Sequence, residues 1–252
     1  MPAAPETRRR LPVLPGAGLL LWAAATAATI AGSLSMQDMG ELPMPGGWTL
    51  STAWMPMCGQ SLAGAAASFT GMWVVMMVAM MSPSLLPALR EYRPGLATVA
   101  AAGYFFVWAV LGAIIFALGA LLTQVLLQMN TVARAVPALS GLVVMLSGAF
   151  QFTAWKARHL SCYRQQAAQL PTHAGTAWRH GLRLGVHCIY SCAGLTTLLL
   201  VSGVMDLRVM VIVTAAITAE RLAPDGDRVA RAAGAVAIVA GLLMSARALW
   251  PA

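Results

Sequence analysis

Long hydrophobic runs, separated by short polar stretches, set the pattern of this chain. Seven read as membrane segments: 17–35, 67–89, 97–122, 135–155, 183–204, 207–221 and 229–249. A bilayer core about 30 Å thick takes about 20 apolar residues as a helix. In lipid every backbone polar group must be bonded internally, which favours helices for runs of this kind. The sixth run, within "LRVMVIVTAAITAERL", is short. It reads either as a short span or as a re-entrant hairpin with the fifth. The pattern predicts an all-α polytopic bundle, with residues 1–252 forming a single integral membrane domain.

Composition strengthens this reading. The chain is 59% hydrophobic and 10% charged, with a mean hydropathy of +0.74. Soluble domains carry about 25% charged residues. The net charge of +8 would suggest nucleic acid in a soluble protein, but its distribution suggests otherwise. Of 16 basic residues, Arg134, Arg208 and Arg247 fall on one side of the alternating segments and the other 13 on the opposite side. Basic loops stay in the cytoplasm. The expected topology is therefore N-terminus in and C-terminus out, with the bilayer as partner and no nucleic acid. Residues 1–16, with Arg8, Arg9 and Arg10, form a cytoplasmic basic tail before a first run that reads as a retained signal anchor.

Two polar stretches stand out. Residues 36–66 read as an external Met/Gly/Pro-rich loop holding Met36, Met39, Met44, Met55, Met57 and Cys58. Residues 156–183 read as a cytoplasmic basic loop. All four histidines and three of the four cysteines lie between 159 and 192. Thiolate and imidazole suit copper and zinc. Cys188 and Cys192 share a helical face at i and i+4, with His187 beside it. His159 and Cys162 follow the fourth run.

Methionine adds a second pattern. "GMWVVMMVAMMSPSLLPAL" holds Met72, Met76 and Met80 in one stripe and Met77 and Met81 in another. Such stripes are usually packing. Met80 and Met81, however, fall at the depth expected for Cys188 and Cys192. The candidate metal set is Cys188, Cys192, His187, Cys162, His159, Met80 and Met81, for Cu or Zn. The alternative is that the cysteines are small buried residues and the histidines are solvated. Asp206 and Arg208 flank the turn between the fifth and sixth runs as a candidate buried charge pair. No phosphate loop, nucleophile elbow or paired catalytic carboxylates are present, so an enzyme is not expected.

The stretches "GMWVVMMVAMMSPSLLPAL", "QFTAWKARHLSCYR" and "GVHCIYSCAGLTTLLLVSGVMDLRVM", with "AERLAP" beyond them, resemble a bacterial family of predicted metal-binding integral membrane proteins (domain-of-unknown-function family 2182). The resemblance runs from about Trp48 to Pro224 and implies a multi-pass protein of the bacterial inner membrane. Family members carry more cysteine. His159 and Tyr163 stand where two cysteines are usual, with Cys162 displaced by one, and Ser191 replaces one member of a pair. Against a four-thiolate site, these departures leave three alternatives open: a mixed Cys/His site, a weaker site or a lost site. The expected function is handling of a soft or borderline, copper-like metal ion as an accessory, chaperone or transport-assisting factor. The alternatives are a small-solute transporter and a non-metal assembly subunit. The expected partner is another membrane or periplasmic protein.

Overall fold

The computed structural model describes residues 13–38, 41–56, 59–90, 92–167 and 171–249. Among these, eight α-helices form the molecule: α1 Val13–Asp38, α2 Leu62–Leu89, α3 Pro94–Gln128, α4 Asn130–Phe150, α5 Ala154–Ala167, α6 Ala174–Ser202, α7 Leu207–Leu222 and α8 Gly226–Leu249. All but α5 and α7 are long and apolar enough to cross a membrane. The chain is a multi-pass helical membrane protein. Its exposed leucines, valines and isoleucines, such as Leu118, Val211 and Val236, form the surface that lipid would cover.

Three expectations change. First, α6 is 29 residues long, about 43 Å at helical rise. The Met205 carbonyl just beyond it accepts a hydrogen bond from Ser33 Oγ at 2.8 Å. Gly18 approaches Leu86 and Trp22 reaches Ala79, so α1 and α2 run antiparallel and Ser33 lies toward the start of α2. Helix α6 thus runs the length of the bundle and is not half of a re-entrant hairpin. Second, the basic stretch 156–183 is not a loop. It contains most of α5 and the first turns of α6, whose N-cap residue His173 forms a capping box with Thr176. Third, the stretch 36–66 contains an antiparallel hairpin, β1 Glu41–Met44 paired with β2 Trp48–Ser51. Met57 and Cys58 lie outside the described residues.

Proline inside a helix removes one N–H and frees the carbonyl four residues earlier. Helix α2 contains Pro83, which frees the Ala79 carbonyl, and Trp22 of α1 donates its indole N–H to that oxygen at 3.0 Å. Helix α4 contains Pro137, which frees the Ala133 carbonyl, and Trp48 of the hairpin donates to it at 2.9 Å. A lost bond is replaced in both cases by an indole from a neighbouring element. That replacement is what makes proline tolerable away from water.

Small residues set the helix spacings. Between α3 and α6, a Cβ on Gly185 would lie 3.0 Å from the Tyr104 carbonyl, and one on Gly103 would lie 2.7 Å from the Trp178 carbonyl. Backbones this close require glycine. This seam brings Tyr104 of α3 onto Cys188 of α6. A similar seam joins α4 to α8 through Gly141, Gly148, Gly234 and Gly241.

Candidate metal centre

Cys188 and Cys192 are fully buried, one turn apart on α6. The Cys188 Sγ accepts from Arg221 Nη2 of α7 at 2.8 Å and lies 2.8 Å from the Tyr104 hydroxyl. Cys192 Sγ donates to the Cys188 carbonyl at 2.9 Å and receives Thr196 Oγ1 at 3.7 Å. Ser191 also donates to the Cys188 carbonyl, at 2.9 Å.

Arg221 organises the cluster. Its Nη1 donates to Ser84 Oγ at 2.9 Å and lies 3.8 Å from Met81 Sδ. Its guanidinium carbon sits 4.3 Å from the centre of the Tyr163 ring, a cation–π arrangement. Five elements thus converge: α2 brings Met81 and Ser84, α3 Tyr104, α5 Tyr163, α6 the two cysteines and α7 the arginine. Burying a guanidinium is costly unless its donors find partners. Here a thiol sulfur, a hydroxyl, a thioether and a ring face supply them.

A second buried charge system lies nearby. Lys156 Nζ reaches Glu220 Oε2 at 2.8 Å and Oε1 at 2.9 Å, with the Gln151 side-chain oxygen alongside. Burial holds the Lys156 ammonium below its ordinary pKa, against the upward pull of Glu220. Arg164 of α5 donates to the Glu220 and Ala223 carbonyls, which covers the exposed acceptors at the end of α7.

The expected metal set divides in the structure. Cys188, Cys192 and Met81 meet around Arg221. Met80 is buried in the same core, but it makes no hydrogen bond in the cluster. Cys162 is half-buried on α5 and takes no part. His187 and His159 form a separate pair with Nδ1 atoms 3.1 Å apart, beside Trp155 and Tyr190. Among the described residues no three of His, Cys, Asp and Glu converge as metal ligands. The candidate pair Asp206–Arg208 is also not a buried ion pair. Asp206 caps α7 by accepting from the Arg208 and Val209 amides, and the Arg208 side chain is exposed. Two short-range demands decide this: the free N–H groups at the start of α7 need an acceptor, and a long arginine side chain can reach water.

No role in the site was expected from the sequence for Arg221, Tyr104, Tyr163 or the Lys156–Glu220 pair. One signal was available. Glu220 and Arg221 are adjacent ionisable residues at the end of an apolar run, and such residues mark sites when they face a bundle interior.

The histidine pair gives a pH prediction. Burial, followed by the positive charges of His187 and Arg158, holds His159 below the ordinary value of 6.5. A depressed histidine contributes stability that is present above the unfolded value and lost as pH falls through the folded one. Lowering the pH from about 7.5 to about 5.5 should therefore loosen α5 from α6. Trp155, whose ring centre lies 4.3 Å from that of His159, should report it by a fluorescence change. His159→Asn should remove the acid dependence, and an unchanged profile in that variant would assign it elsewhere.

The fold and cluster define a class: a polytopic helical membrane protein with a buried thiol pair, one sulfur of which accepts from a buried guanidinium. A family model described as "PpoB2: Copper chaperone" matches residues 70–244, which is well over half of the chain. The chain belongs to that family. Neither the curated proteins nor the solved structures contain a match.

Proposed function

We propose that the protein is a membrane-embedded copper-handling factor that takes Cu(I) as cargo at Cys188 and Cys192, with Met81 as the thioether beside them. The observation that carries this reading is the buried thiol pair within a chain of a copper-chaperone family. Soft thiolate and thioether ligands select Cu(I). Two thiols and one thioether also fall short of the four ligands that a structural zinc site takes. The positive-inside asymmetry supports placing the cluster toward the cytoplasmic side of a bacterial inner membrane. The protein works without a catalytic step, binding the ion and passing it to a membrane or periplasmic acceptor.

Protein purified in detergent and loaded with Cu(I) without oxygen should retain about one copper per chain. Cys188→Ser with Cys192→Ser should abolish retention, while Cys162→Ser should leave it unchanged. Equal copper in the double variant and the wild type would refute this assignment.

A further inference from the structure

We infer that Arg221 is the residue that makes this site select a monovalent over a divalent metal ion, by fixing the charge that the buried cluster can accept. The inference rests on the Cys188–Cys192 reading above. It follows from a count of charges around the thiols. Among the described residues, Arg221 is the only cation in hydrogen-bond contact with the Cys188 sulfur, at 2.8 Å. It has no carboxylate partner among the ion pairs of the described residues, which are Lys156–Glu220 and Arg228–Asp225. The first of those pairs is internally neutral. Tyr104, Tyr163, Ser84 and Thr196 complete the surroundings and are uncharged as hydroxyls.

A guanidinium can only donate. In an interior of low polarity its charge needs an opposite charge nearby. The two thiolates that hold a bound ion supply it. When Cu(I) binds, a copper–sulfur bond forms to each cysteine, each S–H bond still present breaks with its proton leaving to solvent, and no electron is transferred. The two negative sulfurs are then balanced by Cu(I) and the Arg221 guanidinium, which donates to the Cys188 sulfur. Zn(II) held in the same way would leave one uncompensated positive charge beside the guanidinium. At these separations an unscreened unit charge is worth about a hundredfold or more in affinity.

The test uses the full chain in detergent micelles without oxygen. Bicinchoninate serves as the competing Cu(I) chelator and a chromophoric chelator is used for Zn(II). Wild-type protein should keep Cu(I) in the presence of equimolar Zn(II). Arg221→Gln should shift the ratio of the two affinities toward Zn(II) by about a hundredfold, because two thiolates alone balance a divalent ion. Arg221→Lys, which keeps the charge, should retain most of the wild-type preference. An unchanged ratio in Arg221→Gln would overturn the role of Arg221 while leaving the cysteine site standing. Absence of cysteine-dependent Cu(I) from the wild type would instead remove the site itself. Arg221→Met, an apolar side chain of similar length, decides the matter should Arg221→Gln fail to fold: the same shift toward Zn(II) is expected, and an unchanged ratio would overturn the inference.

Discussion

Glu220→Leu should destabilise the protein by about 3–5 kcal/mol, because it leaves the Lys156 ammonium buried without a counter-charge. Lys156 is 1% exposed, and the Glu220 carboxylate meets it at 2.8 Å. The Gln151 side chain beside it offers a neutral acceptor only. The penalty should shrink as pH rises. Lys156 already lies below its ordinary value, and losing Glu220 removes the main group that raises it, so the lysine sheds its proton more easily. A folded pKa below the unfolded one makes stability climb with pH. Lys156→Met combined with Glu220→Leu should recover most of the loss, since an apolar pair needs no compensation. Reversible denaturant unfolding in micelles, followed by helical circular dichroism, gives the four corners of this cycle. If the double variant loses the sum of the two single losses, the pair is not coupled.

Gly241→Val should have an effect of similar size through a different cause. At Gly241 a Cβ would stand 2.6 Å from the Gly141 carbonyl and 2.7 Å from the Met145 amide nitrogen. Backbone cannot move aside as the end of a flexible side chain can. The reciprocal contacts at Gly148 and Gly234, each close to the other's carbonyl, fix the rest of the seam. Overpacking costs about 1–3 kcal/mol for one added group, and the larger branched side chain should exceed the upper value by forcing α8 off α4. Gly71→Ala provides the contrast. Its Cβ meets nothing within 4 Å, so it should be neutral or stabilising by about 0.5–1 kcal/mol through helix propensity. Comparable losses at both positions would remove the seam from the explanation.

Helix character and rough span positions were legible because lipid imposes one solution on long apolar runs. The runs at 17–35, 67–89 and 97–122 lie within α1, α2 and α3. The α5 helix was not legible. "AWKARHLSCYRQQA" is short and polar, and it is held by burying Lys156, Leu160 and Tyr163 against the bundle. Neighbouring Pro43, Pro45, Gly46 and Gly47 made the hairpin read as loop, although Gly46 and Gly47 supply the positive φ angles that turn it. At the site, the i and i+4 spacing of Cys188 and Cys192 was local and therefore visible. Tyr104 and Arg221 lie 84 and 33 residues from Cys188. Their meeting depends on glycine seams and on α7 folding back, and no local pattern carries that.

The two indole bonds have a consequence for biosynthesis. Trp22 precedes Pro83 in the chain, and Trp48 precedes Pro137. A chain emerges from its N-terminus during synthesis. Each donor is therefore already made when the helix with the freed carbonyl is delivered to lipid. Neither of these two freed carbonyls has to wait in the membrane for a donor that has not yet been translated. Exchanging the order, by circular permutation that moves α1 to the C-terminus, would leave Ala79 unsatisfied until the last helix arrives. Yield and insertion efficiency should then fall even if the finished fold is unchanged.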